Sequence, residues 1–158
     1  MKNGVLALFS LGVGTLIGSG VTLQIEGQKE KMLNATSNKN MSLYLMMNQW
    51  VRVKQAGKNL TDYFKKKGYK NIAVYGMSNV GETLIDELKG TDTCIKYGID
   101  MNASNIHLDI PVFSLNDEFE DVDAIVVTPI FYFDDIEETL SRKMKCPIIS
   151  LEDILYEV

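Results

Sequence analysis

The stretch that decides the fold is NIAVYGMSNVGETL, residues 71–84. It begins with a short apolar run that is typical of a buried strand. Gly76 and Gly81 follow this run, and apolar residues then recur at helical spacing. A strand, a tight glycine turn and the first turn of a helix together predict a βα unit. We expect the rest of the domain to build a sheet around this unit.

The residues after this unit alternate between helical and strand patterns. Helices are predicted over residues 80–89 and 134–144, and Ser150 begins a capping-box pattern that opens a final helix. Further strands are predicted at residues 94–99, 111–113, 122–127 and 147–149. Because strands that alternate with helices form parallel sheets, the predicted fold is an α/β, Rossmann-like parallel sheet with the strand order 3-2-1-4-5.

A ligand crevice is expected at the carboxyl ends of the first and fourth strands, where the strand order reverses. Helix N-terminal amides at residues 79–81 are expected to hold a phosphate. Asp100 lies 19 residues after Gly81, which is the spacing of a carboxylate that bonds ribose hydroxyls. The segment TPIFY, residues 128–132, forms the other wall. The candidate binding residues are Gly76, Ser78, Asn79, Val80, Gly81, Asp100 and Thr128.

Two features of the turn depart from the GxGxxG pattern. Ser78 replaces the middle glycine, which in that pattern lets the backbone approach a pyrophosphate. Glu82 places a negative charge in the first turn, and Asn79 with Glu82 resembles an N-cap and its reciprocal partner. A βα turn without any ligand therefore stays open as an alternative.

An uncharged run of 22 residues, 4–25, lies near the amino terminus. A helix of this length spans about 30 Å, so we predict a transmembrane anchor within residues 1–26. The apolar region of a cleaved signal peptide is usually shorter. Ser10, Gly14 and Gly18 form a stripe of small residues, which favours self-association or docking on another membrane protein. Alternatively, the stripe reflects only the high frequency of glycine in membrane spans.

Residues 27–69 are predicted to be a basic linker followed by amphipathic helices. Residues 27–40 are polar, whereas residues 41–55 and 60–67 have helical patterns. We expect Trp50 to pack against the core of the Rossmann-like domain, residues 70–158. Lysines after the span outnumber those before it, which favours a cytoplasmic domain and contact with anionic lipid.

Charge and cysteine content exclude several kinds of site. Residues 1–70 carry 11 Lys or Arg against 3 Asp or Glu, whereas residues 109–158 carry 3 against 13. A basic front and an acidic back argue against nucleic acid as a partner. Cys94 and Cys146 lack metal-ligand spacing and are expected to be reduced and buried, so no metal site is predicted.

Five segments resemble a known group of proteins: IAVYGMSNVGETLIDEL, IKYGID, IPVFSLND, VDAIVVTPI and CPIISLEDIL. They are similar to the Rossmann-like modules of bacterial cell-surface polysaccharide biosynthesis proteins, including the N-terminal domain of PglD-like sugar acyltransferases. The resemblance covers residues from about 70 to 158. It implies that Gly76, Ser78, Gly81 and Asp100 contact an NAD(P) or nucleotide-sugar ligand. No acyltransferase repeat pattern is present, so the enzyme half of that family is not expected.

Three functions fit these patterns. The first is a membrane-anchored nucleotide- or nucleotide-sugar-binding module in cell-envelope or exopolysaccharide biosynthesis, with a membrane-bound enzyme as its partner. The second is an NAD(P)-dependent sugar epimerase or oxidoreductase, for which Tyr132 is the plausibly placed proton-transfer group. The third is a non-catalytic scaffold or regulatory membrane protein. The sequence identifies no catalysed reaction.

Overall fold

The computed structural model describes the backbone of residues 2–158 and the side chains of residues 28–158. Within these residues the helices are α1 (Lys2–Gln55), α2 (Leu60–Lys67), α3 (Asn79–Leu88), α4 (Phe133–Ser141) and α5 (Leu151–Glu157). The strands are β1 (Asn71–Tyr75), β2 (Cys94–Ile99), β3 (Val112–Phe113), β4 (Ala124–Val127) and β5 (Ile148–Ser150). The chain divides into two compact units, Met1–Met41 and Ser42–Val158. The sheet belongs to the second unit.

The strands form one parallel sheet in the order β3-β2-β1-β4-β5, which confirms the predicted order. In β1 the four residues from Ile72 to Tyr75 are buried, and all four residues of β4 are buried. Such uninterrupted apolar runs suit central strands of a parallel sheet whose two faces are both covered. The order reverses between β1 and β4, so the carboxyl ends of these two strands frame a crevice.

Two apolar clusters cover the two faces of the sheet. One cluster joins the end of α1 to α2, α3 and α5, and it includes Trp50 and Val53. Trp50 is only 3% exposed, which confirms that it packs in the core. The other cluster lies under α4 and includes Tyr97, Leu140 and Met144.

Glu87 in α3 joins three helices through one carboxylate. It accepts hydrogen bonds from Nε1 of Trp50 at 2.6 Å and from Nζ of Lys54 at 3.0 Å, both in α1. It also accepts the amide of Leu60, the first residue of α2, at 3.2 Å. The Asn59 side chain does not cap α2, so Glu87 supplies an acceptor for one of the free amides at that helix start. No pattern in the sequence indicates this role.

Several elements differ from their predicted bounds. The ranges of β2 and α2 are as predicted, and Gly68 follows α2 as its C-cap in the left-handed conformation. The strand expected at 122–127 is shorter, and α4 starts one residue earlier and ends sooner than expected. Residues 27–40, which we expected to form a linker, are helical and continue α1. Their Gln, Lys, Glu and Met residues favour helix, and no proline interrupts them.

The predicted membrane span, residues 4–25, lies outside the residues whose side chains are described. The stripe of Ser10, Gly14 and Gly18 lies outside them as well. Both therefore stay predictions. Among the described residues, no helix combines the length and the apolar character that crossing a bilayer requires.

The two cysteines are unpaired, but the expectation that both are buried is wrong. Cys94 is exposed and Cys146 is half-buried. The reason for the exposure of Cys94 lies in the sheet edge. The short strand β3 pairs only with Gly98 and Ile99, so the first half of β2 is left uncovered on that side.

Asp123 connects the start of β4 to the start of β1 and makes stability depend on pH. Its carboxylate accepts the amides of Asn71 at 2.7 Å and Lys70 at 2.8 Å, and these bonds lower its pKa below the ordinary value of 3.8. A carboxylate whose pKa is lower in the folded state than in the unfolded state stabilises the fold at pH values above the unfolded-state pKa. That contribution is lost as the pH falls through the folded-state value.

We therefore expect Asp123→Asn to flatten the acid side of the stability profile. Below about pH 4, the free energy of unfolding should fall more steeply in the wild-type chain than in the variant. Urea unfolding across a pH series measures both slopes. Asp121→Asn, a change at a nearby exposed carboxylate, should keep the wild-type slope. Equal slopes for the wild type and Asp123→Asn would contradict this assignment.

Candidate functional site

The turn between β1 and α3 is a close crossing of two backbone segments. Gly76 has φ of +93°, a conformation that L side chains rarely adopt. A Cβ on Gly81 would overlap the carbonyl oxygen of Gly76. A Cβ on Gly76 would lie 2.6 Å from both Pro129 Cδ and Thr128 Oγ1. Both predicted glycines are therefore required by the packing of the turn itself.

Backbone and side-chain hydrogen bonds fix this turn to the neighbouring strands. The amide of Gly76 donates to the carbonyl of Ile99 at 2.8 Å. The hydroxyl of Thr128 donates to the carbonyls of Gly76 at 2.8 Å and Tyr75 at 3.2 Å. Thr128 is 3% exposed, so its hydroxyl bonds to the turn and does not face solvent. The predicted wall residue thus has a structural bond that the sequence did not reveal.

Asp100 lies beside the turn, as the spacing predicted. Its Oδ2 accepts the amide of Met77 at 2.8 Å, and its Oδ1 accepts the amide of Asn102 at 2.8 Å. The side chain is half-buried and each carboxylate oxygen keeps a lone pair beyond these bonds. The pKa of neighbouring Tyr75 is raised by burial and, to a smaller extent, by the negative charge of Asp100.

Met77 is a residue of the turn that the sequence-based prediction does not include. Its side chain is 3% exposed and packs over Gly98 of β2, where an added Cβ would lie 2.6 Å from the Met77 sulfur. The side chain therefore fills the space between the turn and β2. A possible signal in the sequence is the glycine near the end of β2, where a strand otherwise favours larger residues.

The predicted N-cap at Asn79 is wrong, because the cap is Ser78. The amide of Glu82 donates to the carbonyl of Ser78 at 3.0 Å, so the helix begins one residue earlier than expected. The Ser78 side chain makes no capping bond, and the Asn79 and Glu82 side chains make no reciprocal pair. The physical reason is that the crossing of Gly76 and Gly81 sets where the helix begins.

Four consecutive amides at this helix start have no protein acceptor among the described residues. They belong to Ser78, Asn79, Val80 and Gly81. Ser78 and Asn79 are exposed, whereas the Val80 side chain is buried in the core and only its amide can contact a ligand. Free amides and the positive end of the helix dipole together favour an anion at this position. The turn, Asp100 and these amides are therefore brought together as predicted.

The opposite side of the crevice carries an aromatic pair. Phe131 and Tyr132 follow Pro129, whose ring lies against Gly76. They are 43% and 45% exposed, and their rings meet edge to face with centroids 5.3 Å apart. Exposed aromatic faces on one side of a crevice and free amides on the other suit a ligand with both an aromatic ring and an anionic group.

Comparison with other proteins does not assign the chain to a family. No family model matches the chain, and neither the curated proteins nor the solved structures contain a match. The shape of the turn and the chemistry of its residues are therefore the basis for assigning a ligand.

Proposed function

We propose that this chain is a membrane-tethered module that binds a nucleotide or a nucleotide-sugar, and that it assists an enzyme of cell-envelope polysaccharide biosynthesis. The observation that supports ligand binding most is the run of four unpaired amides from Ser78 to Gly81. The membrane tether is supported by the uncharged residues 4–25, and the pathway by the resemblance of residues 70–158. NAD(P) belongs to the same class of ligand.

Each part of such a ligand has a chemical counterpart in the crevice. A phosphate oxygen accepts hydrogen bonds from the free amides at the start of α3. A ribose hydroxyl donates to a remaining lone pair of Asp100. A base stacks on the exposed ring of Phe131. Glu82 and Asp100 bring negative charge to the crevice, so the amides must supply the attraction for the phosphate.

Ligand-induced stabilisation of the Ser42–Val158 unit tests this proposal. The purified unit is unfolded thermally in the presence of NAD, NADP and UDP-, CDP- and GDP-sugars. A ligand present at about 100 times its dissociation constant stabilises the folded state by about 2.7 kcal/mol. At least one of these compounds should produce that shift. If none does at millimolar concentration, the unit is not a nucleotide-binding module.

We further expect Ser78→Asp to abolish the ligand-induced shift without unfolding the domain. Aspartate is a favoured N-cap residue, so the helix start is preserved. Its carboxylate accepts the free amides and repels a phosphate at the same position. Ser141→Asp makes the same chemical change at the exposed end of α4 and should leave the shift intact. If the Ser78→Asp variant shows the full ligand-induced shift, these amides do not belong to the binding site.

A further inference from the structure

A cavity of about 300 Å³ opens at the end of β2 that lies away from the ligand crevice. It is bounded by the end of α3, the start of β2 and the loop before β3. The crevice lies at the carboxyl ends of the strands, whereas Cys94, the first residue of β2, lines this cavity. Binding at this position therefore does not depend on the proposed nucleotide site.

The walls of the cavity are mainly aliphatic. Four branched side chains contribute to the lining: Ile85, Leu88, Ile95 and Ile110. Pockets for drug-sized ligands range from about 300 to 1,000 Å³. This cavity lies at the lower end of that range, so it suits a small metabolite rather than a nucleotide or a lipid chain.

A β-bulge in β2 turns Ile95 toward the cavity. Successive residues of β1 pair with Ile95 and Tyr97, so Lys96 is an extra residue between them. In a regular strand, side chains two residues apart share one face of the sheet. Here Tyr97 packs on the α4 face, whereas Ile95 packs on the α3 face. Bulges of this kind commonly re-aim a side chain beside a functional site.

Thr93 contributes an unpaired hydroxyl to the wall of the cavity. It is 5% exposed, and Thr128 and Ser150 are the other buried polar residues of the described chain. The hydroxyls of those two residues bond to backbone groups. The Thr93 hydroxyl has no partner among the described residues, yet it is not sealed off from solvent. Since Thr93 lines the cavity, a ligand there can make the hydrogen bond that buried hydroxyls normally have.

Two ionic side chains of opposite sign lie at the rim. Lys89 follows α3 and Asp109 precedes β3, and both belong to the lining. They do not pair with each other, and neither forms an ion pair with another described residue. The C-terminal end of α3, which carries partial negative charge, also borders the cavity at Leu88. The rim therefore offers one cationic and one anionic contact.

We propose that this cavity binds a free α-amino acid with a branched apolar side chain, namely leucine, isoleucine or valine. The aliphatic walls take the side chain of the ligand. Its carboxylate accepts hydrogen bonds from the Lys89 ammonium and the Thr93 hydroxyl, and its own ammonium donates to Asp109. An alkyl carboxylate or an alkylamine leaves one of the two ionic side chains without its counterpart.

Protection of Cys94 from a thiol reagent tests the proposal. Cys94 is exposed and lines the cavity, and Cys146→Ser leaves it as the single thiol of the full-length chain. At least one of the three amino acids, at about ten times its dissociation constant, should slow maleimide labelling by about tenfold. Glycine, isocaproate and isopentylamine should not protect the thiol, because each lacks the apolar side chain or one of the two charges.

Two substitutions in the Cys146→Ser background assign the protection to this cavity. Thr93→Val keeps the shape of the side chain and removes the hydroxyl, so it should weaken protection several-fold while labelling without ligand stays unchanged. Asp109→Asn should abolish the preference for the amino acid over isocaproate, since the ligand ammonium loses its counter-charge. Thr139→Val makes the first change at an exposed position of α4 and should keep full protection.

Three results would overturn the assignment. They are equal protection by isocaproate or isopentylamine and by the amino acids, full protection in the Thr93→Val variant, and no protection by leucine, isoleucine or valine at millimolar concentration. The comparison of ligands on the Cys146→Ser chain does not require the other variants, so it decides the question even if Thr93→Val fails to fold.

Discussion

Replacement of Gly81 by alanine should destabilise the domain by about 3 kcal/mol or more. The added Cβ would overlap the carbonyl oxygen of Gly76. This oxygen cannot move aside easily, because it accepts a hydrogen bond from the hydroxyl of Thr128. The amide of Gly76 is also held, since it donates to the carbonyl of Ile99. The turn between β1 and α3 must open to admit the methyl group. Equilibrium unfolding in urea measures the loss.

Gly90→Ala is the matched control for this change. Gly90 lies just after α3, whereas Gly81 lies in its first turn, and a Cβ at Gly90 would meet nothing within 4 Å. Its φ of +76° still makes alanine unfavourable, at a cost of about 1–2 kcal/mol. Gly81→Ala should therefore cost clearly more than Gly90→Ala. Equal losses would mean that the two backbone segments are not in close contact.

Removal of the Glu87 carboxylate should have the second large effect. We expect Glu87→Ala to cost about 3 kcal/mol, because partly buried donors lose their shared acceptor. The partly buried donors are the indole of Trp50 and the amide of Leu60, and the exposed amine of Lys54 loses the same acceptor. The Glu87 side chain is 9% exposed, so water replaces the carboxylate poorly. The free energy of unfolding in urea is the quantity to compare.

Glu138→Ala separates this role from that of an ordinary ion pair. Glu138 pairs with Arg142 on the surface of α4, and their side chains are 70% and 74% exposed. Such a pair contributes about 0.5 kcal/mol or less. Glu87→Gln should fall between the two alanine variants, because its amide oxygen still accepts one donor. A loss for Glu87→Ala as small as that for Glu138→Ala would show that the three helices do not depend on this carboxylate.

The sheet was predictable because its signals are local. Buried strands appear as apolar runs, and the glycines at the turn mark a close backbone approach that no other residue allows. The range of β2 and the strand order followed from these patterns. The position of Asp100 beside the turn followed from its spacing after Gly81.

The side-chain partners were not predictable, because they join residues far apart in the sequence. Glu87 is 37 residues from Trp50, and Thr128 is 52 residues from Gly76. Periodicity reports which face of an element is buried, but it does not report which donor meets which acceptor across that face. The N-cap was misplaced for a related reason. Serine and asparagine are both favoured at that position, so residue preference does not choose between Ser78 and Asn79.

The contact between Trp50 and Glu87 has an optical consequence. Trp50 is the only tryptophan of the chain, so ultraviolet emission above the tyrosine band comes from one indole. That indole is bonded to the last turn of α3, and the first turn of the same helix carries the free amides. A ligand that binds at the crevice and shifts α3 should therefore change the emission spectrum of Trp50. Ligand binding can then be followed by tryptophan fluorescence, without an added dye.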